Sequence, residues 1–251
     1  MTTQTTNFLN STHKQKTCKC GAICNPVFVP AIPAISFAER WIEARDICQK
    51  CFVESERADF EKRFLQAAVD KSGLGPKYLS KTFDNFVLSD ALKPAFDATK
   101  NFDKNQSLLL IGNCGSGKTH LAAAVVNKFI TQGAFFISCP ELLETIRKNF
   151  KAERSVDILD FSKKSKILVL DDLGAEKTSE WAKEILFLLI DFRNRNNLPV
   201  IITTNFSVEQ IFENLGQRIA SRIVEMCKII KINAPDYRLG IRKNLNVKGA
   251  A

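Results

Sequence analysis

The sequence lacks any apolar run that approaches the about 20 residues needed to span a bilayer. Its first 17 residues, MTTQTTNFLNSTHKQKT, also lack the hydrophobic segment of a secretory signal. We therefore expect a cytoplasmic protein. The hydrophobic share of 45% and the mean hydropathy of -0.09 are typical of a soluble globular chain that can bury a sizeable core.

Histidine is also scarce, and acidic residues are outnumbered by basic ones. Of the two histidines, His13 lies in a polar tail, where a solvated side chain is the simpler interpretation and a metal ligand the alternative. The chain has 36 lysines and arginines against 27 acidic residues, which gives a formal net charge of +9. This excess favours a polyanionic partner, nucleic acid first, although lysine-rich surfaces also keep proteins in solution.

Cysteine, in contrast, is abundant near the start of the sequence. Five of the eight cysteines lie within residues 18–51. In a reducing compartment such clustering indicates a metal site rather than disulfides. Cys48 and Cys51 form a C-x-x-C pair, which is a half-site for zinc.

The other half of the predicted zinc site is irregular. Cys18 and Cys20 are separated by one residue, and Gly21 directly after them suits a tight turn. We predict that Cys18 and Cys20 complete a Zn²⁺ site of four thiolates, with Cys24 as the reserve ligand. Free thiols in a loose tail are the alternative. Bound Zn²⁺ would supply folding energy that so small a segment lacks.

Residues 107–121, SLLLIGNCGSGKTHL, combine an apolar strand, a glycine-rich turn and the start of a helix. The residues that match the pattern G-x-x-x-x-G-K-[ST] are Gly112, Asn113, Cys114, Gly115, Ser116, Gly117, Lys118 and Thr119. The glycines let backbone N–H groups approach phosphate oxygens, and the helix directs its positive end to the same anion. We predict an ATP site in which Lys118 reaches the β- and γ-phosphates and the Thr119 hydroxyl is a Mg²⁺ ligand.

A second apolar strand, KILVLDD at residues 166–172, ends in two carboxylates. In open α/β sheets the carboxyl ends of the strands form the ligand-binding edge, so these acids would lie beside the glycine-rich loop. We predict that Asp171 holds Mg²⁺, directly or through water, and that Asp172 polarises the attacking water. Many P-loop ATPases carry glutamate at the second position, so Glu176 is the alternative base.

Side chains on other elements have both a functional and a structural interpretation. Asn205 ends the strand PVIITTN, where it can orient the attacking water or cap the next helix. Arg218 and Arg222 are four apart and share a helical face, which from spacing alone we interpret as a solvated basic face. Phe83 and Phe86 also have two interpretations. Their rings could contact a bound adenine, or, as we favour, they pack in the hydrophobic core.

These features divide the chain into four parts. We predict a disordered tail at residues 1–17, a cysteine-rich zinc-binding module at 18–52, a helical linker at 53–74 and the nucleotide-binding domain at 75–251. The linker is predicted as a charged amphipathic helix, because Phe60, Phe64 and Ala67 or Ala68 fall on one face, and Gly73-Leu74-Gly75-Pro76 ends it.

Five motifs, taken in order, resemble those of the DnaC/IstB-like family of AAA+ ATPases, the bacterial and phage helicase loaders and transposition helper ATPases. They are GNCGSGKTHLAAAV, ILVLDDLGAE, LPVIITTN, RIASRIVEMC and PDYR, within residues 75–240. The resemblance implies an α/β fold of the P-loop AAA+ (ASCE) type, a three-layer αβα domain on a five-stranded parallel sheet of order 5-1-4-3-2. The cysteine-rich front end and KYLSKTFDNF look more like the loader branch.

The resemblance also implies roles for the predicted site residues. It assigns the Walker A motif to residues 112–119 and the Walker B motif to Asp171 and Asp172, and it makes Asn205 the first sensor. These roles agree with the chemistry expected of each residue type.

Roles for the arginines and partners come from the resemblance alone. Arg222 would be the arginine finger presented to a neighbouring subunit's ATP, with Arg218 in support. Arg238 falls at the position of the family's second-sensor arginine, although no substantial lid domain follows it in this sequence. The family also implies self-assembly through ATP-bridged interfaces, an N-terminal region that grips a hexameric replicative DNA helicase, and contact with single-stranded DNA.

The sequence therefore predicts a weak ATPase that loads a replicative helicase, with ATP as an assembly switch and Zn²⁺ in the N-terminal module. One alternative is a helper ATPase for a transposase, which has the same chemistry and acts on double-stranded DNA. Another is a nucleotide-gated adaptor with little turnover, which Asp172 in place of glutamate keeps open.

Overall fold

The computed structural model describes residues 14–25, 27–29, 40–42, 45–149, 158–175 and 179–239. The chain divides into two compact units, Met1–Phe64 and Leu65–Ala251. The possible ligand His13, most of the predicted polar tail and the alternative base Glu176 lie outside the described residues. No helix in the described ranges has the length and apolar character that crossing a membrane requires.

The first unit begins with short antiparallel strands and ends in a long helix. The strand pairs are β1 (Lys16–Thr17) with β2 (Ile23–Cys24), and β3 (Val27–Val29) with β4 (Arg40–Ile42). Gly21, between β1 and β2, has a φ of 88°, which glycine adopts without strain. Helix α1 (Gln49–Lys71) begins directly after Cys48, so Cys51 lies in its first turn.

The second unit is built on a five-stranded parallel sheet. Its strands are β5 (Ser107–Gly112), β6 (Ala134–Ser138), β7 (Ile167–Leu173), β8 (Val200–Thr204) and β9 (Cys227–Ile232). They lie side by side in the order β6-β7-β8-β5-β9, with parallel pairing throughout. Numbered within the sheet and read from the β9 edge, this is the order 5-1-4-3-2, so the prediction from the family resemblance is confirmed.

Helices connect these strands and cover both faces of the sheet. In the described ranges they are α2 (Pro76–Leu79), α3 (Lys93–Lys100), α4 (Lys118–Lys128), α5 (Cys139–Asn149), α6 (Ile158–Lys164), α7 (Glu180–Arg195), α8 (Val208–Leu215) and α9 (Gln217–Met226). Leu109 and Leu168 belong to a core formed with α5, α7, α8 and α9, whereas Leu108 and Val169 belong to a second core with α3 and α4. Strands buried on both faces form continuous apolar runs, and the predicted three-layer fold is confirmed.

The segment that leads into the sheet packs on the second core. The Phe86 ring stacks on Phe96 with centroids 5.7 Å apart, and Phe83 meets the same ring edge-on at 5.7 Å. Phe86 also touches the glycine-rich loop, because a Cβ on Gly117 would lie 3.0 Å from its ring. These contacts favour the core interpretation of both phenylalanines and place Phe86 beside the loop.

Candidate functional site

The glycine-rich loop joins β5 to α4 and is closely enclosed by its neighbours. Gly115 and Gly117 have φ values of 69° and 94°, in the left-handed region that favours glycine. A Cβ added to Gly112 would lie 2.7 Å from the Ile232 carbonyl oxygen, and one on Gly115 would lie 1.8 Å from Asp236 Oδ1. Gly117 is the N-cap of α4, so the positive end of this helix opens onto the loop. Such a cradle suits a phosphate group.

The Lys118 ammonium is buried at the base of this loop. Its Nζ donates to the carbonyl oxygens of Gly112 at 2.7 Å and Asn113 at 2.8 Å, and to Asn205 Oδ1 at 2.8 Å. Burial lowers the pKa of Lys118, and the nearby Asp172 carboxylate opposes that shift. The protein's own acceptors therefore hold this cation where phosphate oxygens would take their place.

Asp171 lies at the end of β7, beside the first turn of α4. Its side chain is 3% exposed, and its Oδ1 accepts hydrogen bonds from Thr203 Oγ1 at 2.6 Å and Thr119 Oγ1 at 3.0 Å. Burial raises the pKa of Asp171 to about 6, while the Thr203 hydrogen bond acts in the opposite direction. The Thr119 hydroxyl and this carboxylate are thus adjacent, as two oxygen ligands of one Mg²⁺ must be.

Asp172 follows an irregularity in the sheet. The pairing of β7 with β8 shifts register between Leu170 and Leu173, and Asp172 has a φ of 54°. Aspartate tolerates this left-handed conformation better than most residues. The Asp172 N–H donates to Thr203 Oγ1 at 2.9 Å. Thr203, which the sequence reasoning missed, therefore organises both acids, and its only signal was a hydroxyl at a strand end.

Asn205 directly contacts the glycine-rich loop. Its Oδ1 accepts from Lys118, and its Nδ2 lies 3.5 Å from Cys114 Sγ. The cap of the next helix is Ser207, which forms a capping box with Gln210. The helix-cap alternative for Asn205 is therefore wrong.

Arg218 and Arg222 lie on α9 and contact α7 of their own chain. The Arg218 guanidinium lies over the Phe187 ring at 4.3 Å from its centroid. Arg222 pairs with Asp191 at 3.2 Å and with Glu225 at 2.9 Å. In the part of the chain that the structure describes, neither guanidinium contacts the glycine-rich loop or the acids of β7.

The residues after β9 form a turn against the glycine-rich loop. The Tyr237 N–H donates to the Gly115 carbonyl at 3.1 Å, and the Arg238 N–H donates to Asp236 Oδ1 at 2.9 Å. Arg238 therefore belongs to a turn that contacts the glycine-rich loop through its neighbour Tyr237. Sequence reasoning missed Asp236, whose carboxylate occupies the space beside Gly115.

In the first unit, the structure brings together the cysteines chosen from spacing. The sulfur atoms of Cys18, Cys20, Cys48 and Cys51 all lie within 4.8 Å of one another. The Sγ atoms of Cys20 and Cys48 are 3.6 Å apart, close to the about 3.8 Å edge expected of a tetrahedron with Zn–S bonds of about 2.3 Å.

The backbone around this cysteine cluster favours a thiolate at Cys18, whereas hydrogen bonds with the neighbouring thiols, that of Cys20 first, raise the pKa of Cys51. Hydrogen bonds from the backbone of Cys20 and then Cys48 lower the pKa of the Cys18 thiol to about 6. Cys24 is outside the four-sulfur group, and its pKa is raised by burial and by the negative charge of nearby thiolates. The donor set of the four grouped sulfurs therefore fits Zn²⁺, which thiolates bind as tetrahedral ligands.

The donor set of the second unit fits a nucleoside triphosphate with Mg²⁺. Alongside the glycine cradle and the Lys118 ammonium, Ser116 Oγ is buried and has no hydrogen-bond partner among the described residues. The paired oxygens of Thr119 and Asp171 are hard ligands of the kind that Mg²⁺ prefers. The site therefore contains groups that can bind the phosphates and, beside them, groups that can bind the metal ion.

A glycine-rich loop after β5, acids on β7 and a polar residue after β8, in a sheet of order 5-1-4-3-2, define an AAA+ P-loop ATPase. The comparison with protein families gives the particular one. The family model described as IstB-like ATP binding protein matches residues 48–245, and the chain belongs to this family.

Replicative helicase loaders are among the relatives of this chain. It is 26% identical to the replicative helicase loader DnaC of Escherichia coli K12 over 169 residues, which cover 63% of this chain and 69% of that protein. It is 26% identical to the replicative helicase loader DnaI of Bacillus subtilis over 144 residues, which cover 53% and 46%. A crystal structure of the DnaC helicase loader superimposes with a TM-score of 0.57 at 26% identity and covers 63% of this chain and all of that one.

Proposed function

We propose that this protein is an ATP-dependent loader of a replicative DNA helicase, which binds and hydrolyses ATP to control its assembly on helicase and single-stranded DNA. The observation that carries the proposal is the convergence of Lys118, Asp171 and Asn205 at one sheet edge, in a chain similar to DnaC and DnaI.

Each side chain at this edge has a separate task in hydrolysis. Lys118 binds the β- and γ-phosphates, and Thr119 and Asp171 hold Mg²⁺, which when bound neutralises charge on the phosphates. Asp172 accepts a proton from the water that attacks the γ-phosphorus, with Glu176 as the alternative base. Asn205 orients that water, because its amide already lies beside Lys118.

Turnover depends on a neighbouring subunit. Arg222 acts as the arginine finger on the ATP of that neighbour, Arg218 supports it, and Arg238 senses the nucleotide in its own subunit. An arginine supplied in trans contributes about 10³–10⁵ in rate. Hydrolysis is therefore weak in the monomer and rises on assembly.

The first unit holds the partner. Zn²⁺ bound by Cys18, Cys20, Cys48 and Cys51 stabilises a small module that grips the helicase. The net charge of +9 supports contact of the ATPase domain with single-stranded DNA. The match to the IstB-like family favours a second candidate, a transposition helper ATPase that acts with a transposase.

The proposal is tested by replacing Lys118 with alanine and measuring ATP binding, ATPase activity and helicase loading. Lys118→Ala should abolish turnover and loading, whereas Lys128→Ala, at the exposed end of the same helix, should change neither. Wild-type ATPase should increase with protein concentration and with single-stranded DNA. Loading unaffected by Lys118→Ala would contradict the mechanism, stimulation by a transposase alone would support the helper, and no turnover at any concentration would support the adaptor.

A further inference from the structure

Two carboxylates of its own chain hold the Arg222 guanidinium. Arg222 Nε donates to Asp191 Oδ1 at 3.2 Å, and its Nη1 donates to Glu225 Oε2 at 2.9 Å. In the part of the chain that the structure describes, Nη2 has no acceptor, and the side chain is 40% exposed. Two of the three guanidinium nitrogens are thus bound within the chain, and the third is open.

Asp191 is well suited to position this guanidinium. Its side chain is only 14% exposed, and its other oxygen, Oδ2, pairs with Arg195 Nε at 2.8 Å. A carboxylate held by two arginines has little freedom to rotate. Because Nε lies at the base of the guanidinium, an acceptor there fixes the plane of the group and leaves the two terminal nitrogens for a phosphate.

Glu225 contacts the opposite part of the group. It lies one turn after Arg222 on α9, its side chain is 56% exposed, and it takes Nη1, a terminal nitrogen that a phosphate oxygen would use. Asn194 Nδ2 donates to the same Glu225 oxygen at 3.2 Å. An exposed ion pair of this kind is weak, so an incoming phosphate can replace it.

We propose that the two acids act in opposite directions on trans hydrolysis. Asp191 is a positioning residue that aims Arg222 at the neighbouring subunit's ATP. Glu225 occupies Nη1 within the free subunit and gives it up on assembly, so it raises the protein concentration at which subunits associate. This inference rests on the proposed function, in which Arg222 acts on a neighbour.

A purely structural role would be to clamp α9 to α7. The described contacts make that role unnecessary, because Ile219, Ala220 and Ile223 already bury the inner face of α9 in the core. Variants at the two acids are therefore expected to fold, and thermal unfolding and ATP affinity verify that they do.

The test measures ATPase rate against protein concentration for the full chain and its variants. Asp191→Ala should lower the maximal assembly-dependent rate about 10- to 100-fold, because a misplaced catalytic group costs that much. Asp191→Asn keeps an acceptor oxygen and should recover most of that loss. Glu225→Ala, which removes the acceptor altogether, should lower the midpoint concentration about 2- to 5-fold without lowering the maximal rate.

Two further variants complete the design. Arg195→Gln removes the other partner of Asp191 and should lower the maximal rate by less than Asp191→Ala does, since Asp191 then keeps its contact with Arg222. Arg222→Ala should abolish the concentration dependence. If it does not, the trans mechanism and this inference both fail. If it does, but Asp191→Ala keeps the full rate, Asp191→Asn does not recover, or Glu225→Ala leaves the midpoint unchanged or higher, only this inference is overturned.

Discussion

The nucleotide site and the cysteine cluster are built in opposite ways. At the nucleotide site, Lys118 has three acceptors and Asp171 has two donors within the protein. In the cluster, four sulfurs approach one another, and among the described side chains of the first unit Cys18 alone is buried. The fold preforms the first site, whereas we expect the second to depend on a bound metal ion to hold the surrounding chain together.

Removing the metal should have the largest effect of these tests on stability. The loss should be confined to the first unit. Chelation, or Cys48→Ser with Cys51→Ser, should release about one zinc per chain and remove about 10 kcal/mol of stabilisation from the first unit. ATP affinity should remain, because the second unit has its own two cores. Metal content, hydrogen exchange and nucleotide titration measure this.

Cys24→Ser is the matched control for the metal experiment, since Cys24 lies outside the four-sulfur group. It should retain the zinc. If purified wild-type protein contained no zinc, or if ATP affinity were lost together with the zinc, the contrast between the two sites would be wrong.

Asp171→Asn tests whether the ionised, buried Asp171 carboxylate lowers the free energy of unfolding of the nucleotide-free protein. With the pKa of Asp171 raised from 3.8 to about 6, the folded state binds more protons than the unfolded chain between these values. The free energy of unfolding therefore falls as pH rises through this window and stays lower above it, by about 3 kcal/mol. Asp171→Asn should stabilise the nucleotide-free protein at pH 7.5 and abolish Mg²⁺-dependent turnover.

Denaturant unfolding at pH 4.5 and 7.5 measures this effect. Asp160→Asn serves as the control, because the Asp160 carboxylate is half exposed and lies on the surface helix α6, where it pairs with Lys164. A loss of stability in Asp171→Asn at neutral pH would show that the carboxylate is well compensated without a ligand.

Gly115→Ala tests how tightly the loop is enclosed. Its Cβ would meet the Asp236 carboxylate at 1.8 Å in addition to the strain of a positive φ. Gly133 lies in the left-handed region, with φ 80° and ψ 33°, and its Cβ would meet only an ordinary contact with Lys166 at 3.6 Å, so Gly133→Ala measures the backbone strain alone. Gly115→Ala should cost about 1–3 kcal/mol more than the control and weaken ATP binding. Equal costs would place the Asp236 carboxylate elsewhere in solution.

Thr203→Val should give the smallest effect and bears on pH dependence. It removes the hydroxyl that lowers the pKa of Asp171 and that accepts the Asp172 N–H. The pKa of Asp171 then rises further, so the acid limb of the ATPase pH profile should move to higher pH, with a loss of about 1–2 kcal/mol in stability. Thr204→Val, equally buried and bonded to the Leu173 carbonyl, should lose stability without moving the profile.

The strands of the sheet could be predicted from the sequence, whereas the side chains that organise the site could not. The strands appeared as continuous apolar runs because both faces of the sheet are buried, and their parallel order followed from the family resemblance. The side chains that organise the site were not predictable in the same way. Thr203 is an ordinary strand residue in sequence, and only its position opposite Asp171 makes it a donor to that acid.

The sequence by itself determined which chemical groups this protein has and their local spacing: a phosphate loop, a strand ending in two acids, and paired cysteines. Only the tertiary structure decided which of them meet, since Thr119 and Asp171 are 52 residues apart and Lys118 and Asn205 are 87 apart. It also decided that Asp191, 31 residues away, contacts Arg222. The physical reason is that local spacing constrains neighbours along a turn or strand, whereas contacts between distant residues depend on sheet order and helix packing.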